Sequence, residues 1–505
     1  MALAVPQHVA FRVDASSIIG MGHARRCMAL ARALKRLGVK CSFAMRESDI
    51  EFDELLAEFA PDRIRLPRGR HALAHEYSSW LGDEPAQDIV QFLDGIAGQR
   101  YDWIIVDHYA VDSEWHDEVR AQTGSKIVVI DDLANRPLSA DLIIDQNWHS
   151  DHFAKYAPVN MRKASILGGP TYALLDVAFV NSPKWNSSSE VKSIGIFMGG
   201  VDASNASEKV LDMLAQSGFV GTIALVTGSA NPNVTKLKAR ASSDKNVQLH
   251  VDLPNLAHFF AEHDLQIGAG GSATWERCCI GAPTLALVCA DNQREILFDM
   301  VEAGFQWGAE LSDSNAQIKL LDIACTDITL RGDMSTRCRQ LVDGKGALRT
   351  ARILMLPKVQ VRKAKLDDAR KIYEWRNDAR VRTVSRDTSA ISFDDHLRWF
   401  EGSLGMSGRM ILIGELETSE SVGVVRFDEC DDNSVEVSIY LDPERSGQGL
   451  GSPLLEAAEN YLASVRNSAV DIVAYTMLGN AKSEHLFKRG GYYRTANCFL
   501  KKHGG

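Results

Sequence analysis

The sequence predicts a two-lobed α/β unit of doubly wound parallel sheets, followed by a smaller α+β domain. Three observations carry this reading. From residue 8 to about 355, short apolar runs alternate with helix-like segments, the pattern of parallel sheets covered by helices on both faces. A polar stretch poor in apolar residues, Ser182 to Glu190, interrupts the alternation as a hinge or linker. Beyond residue 355 a run of strands, a glycine turn, a helix and a terminal αβ unit fit into about 145 residues. At 505 residues the chain has ample length for several cores. The domains expected are 1–181, 182–355 and 361–505.

In order along the chain, strands are expected at His8–Asp14, Trp103–Asp107, Lys126–Ile130 and Asp141–Ile144. Cys27, Leu30, Leu34 and Leu37 recur at helical spacing after the first of them. The second lobe offers Ser193–Met198, Gly221–Thr227, Val247–Val251 and Leu265–Gly268. Two such lobes place a ligand cleft between them, at the carboxyl ends of the strands. Leu356 to Gln360 reads as a connector, and Val361 to Lys365 opens the next domain. That domain carries an aromatic-rich helical region (Ile372, Trp375, then Leu397, Trp399, Phe400) and strands at Met410–Glu415, Val422–Asp428 and Val435–Leu441. A helix at Pro453–Leu462 and a strand at Asp471–Tyr475 follow. Neither an internal repeat nor a low-complexity segment is visible.

Composition excludes several classes. Hydrophobic content of 45% and charged content of 24% are those of an ordinary globular chain. A net charge of −10 with no basic stripe argues against nucleic acid as a partner. The N-terminus lacks the basic flank and apolar core of a signal peptide, and no apolar run reaches bilayer-spanning length, so no membrane partner is expected. Nine scattered cysteines, with no Cys-x-x-Cys pair, suit a reducing compartment, and the chain reads as cytoplasmic.

Two segments carry chemistry. Gly20-Met21-Gly22-His23 puts a histidine where a glycine turn enters a helix, the geometry that brings backbone close to a phosphate-bearing ligand. His23 is either a solvated or capping residue or, as the cleft-facing turn favours, a general base. Asp14, on the preceding strand, is a candidate to orient its imidazole, and Asp107 and His108 are either site residues or packed strand-end residues. Gly270-Gly271-Ser272 follows a strand and precedes a helix, so its N–H groups can hold a diphosphate without a metal. Glu276, one turn on, either accepts hydrogen bonds from the ribose hydroxyls or favours the helix N-terminus by its charge. No Asp-x-Asp pair or ligand-spaced His/carboxylate cluster appears, and a metal-independent reaction is expected. Far downstream, Arg445-Ser446-Gly447-Gln448-Gly449-Leu450-Gly451 is a second glycine loop between a strand and a helix.

The first set resembles the UDP-sugar hydrolase of pseudaminic acid biosynthesis, a relative of the two-lobed GT-B glycosyltransferases. The likeness runs over about residues 8–310. It rests on Gly20-x-Gly22-His23-x-x-Arg26, Asp102 to Tyr109, Asp131-Asp132-Leu133-Ala134, Met198 to Asp202, Gly268 to Glu276 and Asp291-Asn292-Gln293. It implies substrate contacts at Gly22, Arg26, Tyr109, Gly270, Gly271, Ser272, Glu276 and Asn292, with His23 catalytic.

Residues 361–505 resemble the GNAT acyltransferases that acetylate nucleotide-linked amino sugars. The motifs are Trp375-Arg376-Asn377, Ile391-Ser392 with His396, Trp399 and Phe400, Glu436 to Leu441, the glycine loop, and Asn480-x-x-Ser483-x-x-x-Phe487. The resemblance implies acetyl-CoA as co-substrate, held at Leu441, Ser446, Gly447, Gly449, Gly451, Ser452 and Asn480. Two departures stand out: Ser446 occupies the family's Gln/Arg position, with Arg445 one residue early, and Phe487 stands where a tyrosine often protonates the thiolate. Tyr492 and His485 lie nearby without an assigned role. Glu436 is either the base for the attacking amine or an ordinary strand-surface carboxylate, and His396 and Trp399 either line the amino-sugar pocket or pack the helices.

Together these imply a bifunctional enzyme. It would acetylate the 4-amine of a UDP-linked 4-amino-trideoxy sugar, then hydrolyse the product to UDP and a free 2,4-diacetamido sugar, in association with other enzymes of the pathway. The rivals are a GT-B glycosyltransferase fused to an acyltransferase, and a non-catalytic nucleotide-binding module beside an acetyltransferase.

Overall fold

A computed structural model describes residues 7–49, 57–71, 74, 76–356, 359–416, 418–430, 434–466, 470–477, 479–495 and 498–503. Residues 6–354 form one compact unit and residues 355–505 another.

The first unit contains two parallel sheets among its described residues. One holds β1 (His8–Val13), β2 (Lys40–Arg46), β3 (Arg63–Leu66), β4 (Trp103–Asp107), β5 (Lys126–Ile130), β6 (Leu142–Asp145) and β7 (Ser165–Gly168), ordered β3-β2-β1-β4-β5-β6-β7. The other holds β8 (Ser193–Phe197), β9 (Thr222–Thr227), β10 (Val247–Val251), β11 (Leu265–Ala269), β12 (Thr284–Val288) and β13 (Trp307–Glu310), ordered β10-β9-β8-β11-β12-β13. Both orders reverse direction beside the lobe's first strand. Crevices for ligands therefore open between β1 and β4 and between β8 and β11, at their carboxyl ends.

Every residue of β1 is buried, which is why the strand reads as a near-continuous apolar run. Arg12 is the exception, and its neighbours explain it. Its guanidinium bonds Asp88 (Nη2 to Oδ1, 2.6 Å) and Asp14 (Nη2 to Oδ2, 2.8 Å). Arg46 Nη2 donates to the same Asp88 oxygen at 2.5 Å, and Trp115 Nε1 to the other at 3.0 Å. Burial opposes ionisation of Asp88, but Arg12 outweighs it and holds the carboxyl below its usual range.

The helix Gly346–Leu354 follows the second lobe in sequence but packs on the first lobe's helix Gly22–Arg36 and the 170–172 turn. Gly346 permits this contact, since a Cβ there would lie 2.2 Å from the Ala173 carbonyl oxygen. Trp103 Nε1 donates to the Leu354 carbonyl at 3.2 Å and closes the end. The lobes are thus stitched together twice, at the 182–190 linker and at this returning helix.

The second unit is one mixed sheet, ordered β14 (Val359–Lys363), β15 (Arg409–Leu416), β16 (Ser421–Glu429), β17 (Ser434–Leu441), β18 (Val470–Ala474), β20 (Phe499–His503) and β19 (Tyr493–Arg494). Pairing is antiparallel except between β17 and β18. Helix Gly451–Val465 covers one face, burying Leu454, Leu455, Ala458 and Leu462. Helices Ala369–Asn377 and Phe393–Leu404 contribute to a smaller apolar cluster containing Ile372, Phe400, Ile411 and Ile413. No helix among the described residues is long and apolar enough to cross a membrane.

Asp88 joins two buried guanidinium groups, so Asp88→Ala leaves Arg12 with Asp14 alone and Arg46 with no carboxylate nearer than Asp83 at 4.0 Å. Breaking a buried pair of this kind costs about 3–5 kcal/mol. Urea unfolding of the full chain should show the first unit's transition at a clearly lower midpoint, and an unmoved midpoint would refute the balance.

Candidate active sites

In the first unit β1 and β4 are neighbours, so the chain leaving each meets the other at the crevice. His23, on the first helical turn after β1, places Nδ1 2.6 Å from Asp107 Oδ1 at the end of β4. Arg26, one turn further along, grips Asp107 with Nε (2.7 Å to Oδ2) and Nη2 (2.7 Å to Oδ1). Burial opposes ionisation of Asp107, but Arg26 and then His23 outweigh it, and the carboxyl lies well below its usual range. An ionised Asp107 accepts Nδ1–H and leaves Nε2 with its lone pair, the arrangement of a general base.

This corrects two expectations. Asp14 does not orient His23: it accepts from Arg12 and from the Arg46 backbone N–H at 2.7 Å, and it lies 3.3 Å from His108 Nε2. Arg26, expected at the substrate, is 7% exposed and its guanidinium is committed to Asp107, so it holds the partner of His23 instead.

Aromatic rings fence His23. Tyr109 meets it edge-on at 4.7 Å and Trp80 at 5.8 Å, and Tyr77 packs on both of those rings. The Tyr109 hydroxyl, expected to hold the sugar, donates to Asp132. Burial and then the Asp132 charge push this phenol well up. Asp132 also accepts from Asn147 Nδ2 at 2.8 Å, and Asn147 Oδ1 accepts from Trp275 Nε1 of the other lobe at 3.1 Å. A hydrogen-bonded chain therefore crosses the cleft. Beside Trp80, a cavity of about 260 Å³ opens among Asp14, Ser17, Arg46, Arg68 and His71.

Across the cleft, Gly270, Gly271 and Ser272 link β11 to the helix Ala273–Ile280, which has no side-chain cap. The N–H groups of Thr274 and Trp275 bond the Gly271 and Ser272 carbonyls at 2.9 and 3.2 Å, which leaves those from Gly270 to Ala273 to meet a ligand. The turn is close to His23's own: a Cβ on Gly22 would lie 3.3 Å from Ser272 Oγ. Glu276 stands half-buried on the same helix. Burial, partly offset by Arg25 and then Arg277, pushes its carboxyl up to about 7. Such a carboxyl binds extra protons in the folded state. Its contribution to stability is present below the ordinary glutamate range and is lost as pH rises towards 7. The Asn292 side chain lies outside the described residues, while its neighbour Gln293 runs along Gly270 and Gly271. Asp202 accepts from the N–H groups of Ala206 and Ser207 and so caps a helix. Among the described residues no group of three or more His, Cys, Asp or Glu side chains is placed to hold a metal ion.

In the second unit the register locates the site. β17 pairs with β16 from Val435 to Leu441, but with β18 only from Ser434 to Glu436. Beyond Glu436 the two parallel strands separate, and from Val437 to Leu441 the side of β17 away from β16 has no ladder partner along a wedge. The glycine loop stands at its mouth. Gly447 and Gly449 take φ of +87° and +78°, which L side chains rarely adopt. Ser446 to Gly449 are exposed, Gly451 and Ser452 open a helix without a side-chain cap, and Arg445 is tied to Glu420 at 2.7 Å.

Glu436 sits where the strands part, 2.8 Å from Arg386 Nη2, and Arg386 lies over the Tyr475 ring at 4.7 Å. Asn480 Oδ1, expected at coenzyme A, accepts the Ser483 N–H at 3.2 Å and caps the helix Ala481–Arg489. Phe487 is buried against Tyr492 and Phe499. Tyr492 donates to Glu459 at 2.7 Å, and burial followed by that carboxylate pushes its phenol well up, so it is a core residue rather than a proton donor. His485 is exposed. His396 Nε2 bonds the Ala369 carbonyl at 3.0 Å and packs the helix pair, whereas Trp399 faces Arg409 and Arg426.

Comparison with known proteins agrees with both halves. Residues 358–492 match the acetyltransferase (GNAT) domain family. The chain is 26% identical over 299 residues to the UDP-2,4-diacetamido-2,4,6-trideoxy-beta-L-altropyranose hydrolase of Campylobacter jejuni, covering 59% of this chain and 97% of that one. It is 23% identical over 355 residues to the spore coat polysaccharide biosynthesis protein SpsG of Bacillus subtilis, covering 69% of this chain and 97% of that one. The crystal structure of the glycotransferase of kitacinnamycin matches 69% of this chain and 98% of its own, with a TM-score of 0.51 at 14% identity. The N-terminal part therefore has a GT-B glycosyltransferase fold, and the C-terminal part carries a GNAT acetyltransferase domain. More particularly, the N-terminal region resembles the trideoxy-altropyranose hydrolase and SpsG.

A side chain at Gly449 would be strained by its backbone, and its Cβ would lie 2.8 Å from Leu356 Cδ2. Gly449→Val should therefore weaken coenzyme A binding about tenfold or more, in line with about 1–3 kcal/mol of backbone strain. Calorimetric titration with coenzyme A checks this, and an unchanged affinity would remove the loop from the site.

Proposed function

We propose that the chain performs two consecutive reactions on one nucleotide sugar, towards pseudaminic acid. The C-terminal domain acetylates the free 4-amine of a UDP-linked 4-amino-trideoxy sugar. The N-terminal unit then hydrolyses the UDP-2,4-diacetamido-trideoxy sugar to UDP and the free sugar. The observation that carries the reading is the His23–Asp107–Arg26 triad facing the Gly270–Ser272 turn across a closed distance.

In the hydrolytic step Nε2 of His23 takes a proton from water as the water oxygen bonds the anomeric carbon. The bond from that carbon to the diphosphate oxygen breaks, and its electron pair leaves with UDP. N–H groups of the turn meet the developing charge. Asp107 keeps the proton on Nδ1 and stabilises the imidazolium that forms. Glu276 receives the ribose hydroxyls, a use that fits a desolvated carboxyl with no hydrogen-bond partner among the described residues. The 260 Å³ cavity beside Trp80 is the space left for the sugar, and the resemblance assigns Asn292 to it as well.

In the transferase, the wedge beside Val437–Leu441 and the loop Ser446–Gly451 suit an extended pantetheine arm and a pyrophosphate. Acetyl-CoA, when bound, supplies an acyl thioester. Glu436 takes the proton of the attacking amine, directly or through one water, after Arg386 releases it. The amine nitrogen bonds the acyl carbon as the carbon–sulfur bond breaks, and its electron pair leaves with the coenzyme A sulfur. Covalent fusion raises the local concentration of the intermediate around the second site.

Incubating the full-length protein with the UDP-4-amino-trideoxy sugar and acetyl-CoA, and following products by mass spectrometry, tests the sequence of reactions. His23→Gln keeps volume and hydrogen bonding but loses the base, and should slow UDP release by about 100-fold or more. Acetylation should continue at its normal rate, so the acetylated UDP-sugar accumulates. Undiminished UDP release would remove His23 from catalysis.

A second outcome concerns pH. Ionised Glu276 is the better acceptor for hydroxyl donors, and its carboxyl ionises near 7. Affinity for uridine, which does not itself titrate there, should rise from about pH 6 to about pH 8. Glu276→Gln should flatten this dependence, and a persisting slope would assign the titration elsewhere.

A further inference from the structure

Arg277 is 1% exposed and has no carboxylate within ion-pair distance among the described residues. The other buried arginines are better satisfied, three by carboxylates and Arg331 by carbonyls alone. Arg12, Arg26 and Arg46 bond carboxylates, and Arg331 bonds the carbonyls of Ala324, Cys325 and Ser188. Arg277 has only the Ala269 carbonyl (Nη2, 2.8 Å) and Thr274 Oγ1 (Nη2, 3.2 Å), while its Nε and Nη1 meet no acceptor. Burying such a cation is costly, and burial pulls its guanidinium down to about 10. It therefore remains charged at neutral pH.

Its position explains the cost. The guanidinium lies beneath the start of the glycine turn, where a Cβ on Gly268 would come within 2.4 Å of Nη1. By holding the Ala269 carbonyl from below, it orients the Ala269–Gly270 peptide. In a trans peptide the N–H points opposite to the C=O, so the Gly270 N–H is directed away from Arg277, to the turn's other side. The same positive charge strengthens that donor in a low-dielectric setting.

We propose that Arg277 is the buried counter-charge for a diphosphate at the Gly270–Ser272 turn, a positioning residue that acts through the Ala269–Gly270 peptide without touching the ligand. The inference rests on the uridine diphosphate reading of this cleft and names the group that selects its anionic part. A bound diphosphate supplies the negative charge that Arg277 does not find within the lobe. The unpaired guanidinium and the uncapped helix then work on the same anion from two sides.

The test compares UDP with uridine, by calorimetry on the full-length protein at a fixed pH of about 8. Arg277→Met should lower UDP affinity about tenfold or more while leaving uridine within about twofold, since only the charged part is affected. Its melting temperature should be equal or higher, because an unbalanced buried charge has been replaced by an apolar chain of similar volume. Arg277→Lys, which keeps the charge, should recover most of the preference for UDP. A merely structural role predicts equal losses for both ligands and a lower melting temperature, and that result overturns the proposal. So does an unchanged ratio of UDP to uridine affinity in a folded Arg277→Met, or a loss in Arg277→Lys as large as in Arg277→Met. Failure of the unaltered protein to bind UDP or uridine would instead overturn the uridine diphosphate reading, and this inference with it.

Discussion

The first site depends on one buried carboxylate. Asp107 is bonded by an imidazole and a guanidinium from two consecutive turns of the same helix, and each bond makes the other useful. Arg26 keeps Asp107 ionised, an ionised Asp107 keeps the proton on Nδ1 of His23, and Nε2 is left as a base. Arg26 in turn is tolerable in the interior only because Asp107 neutralises it. The pair is assembled across 84 residues of sequence by the crossover that puts β4 next to β1. Glycine turns, rings and the facing lobe are arranged around that fixed point.

The two lobes solve the charge problem in opposite ways. In the first lobe every buried cation has an anion within the protein, from Arg12 with Asp14 and Asp88 to Arg26 with Asp107. In the second lobe Arg277 and Glu276 lie side by side on one helix, one cation without a carboxylate and one carboxyl pushed up towards neutrality. The first lobe thus holds His23 in a closed charge network, whereas the second leaves its buried charges without partners of opposite sign close by. The Tyr109–Asp132–Asn147–Trp275 chain joins the two lobes. In the C-terminal unit the receptive surface is backbone. β17 loses its partner after Glu436, and the unpaired edge leads into a loop of positive-φ glycines.

The motifs were legible where their meaning is local. Strand, glycine turn and helix at 13–23, 265–276 and 441–452 can be read because positive φ, a missing cap and an apolar run are properties of a few adjacent residues. Short strands such as Lys40–Arg46, Ser165–Gly168 and Thr284–Val288 were not singled out, since their stability comes from sheet neighbours rather than from their own pattern. Proximity in sequence misdirected the partner of His23. Asp14 lies on the adjacent strand, but Arg12 and the Arg46 N–H claim it, and Asp107 arrives from elsewhere. Asn480 and His396 were candidates through the motifs of the acyltransferase resemblance, and their polar atoms bond a helix N-terminus and a backbone carbonyl.

By itself, the sequence determined that this chain has two glycine-turn sites on two kinds of α/β scaffold, because turn chemistry and hydrophobic alternation are written in neighbouring residues. The tertiary structure alone decided which carboxylate serves His23, where β17 and β18 part, and that Arg277 lies unbalanced beneath a turn. These depend on which groups share a desolvated space. Burial multiplies the energy of each charge and each unmade hydrogen bond, and which groups are buried together is set by strand order and packing rather than by spacing along the chain.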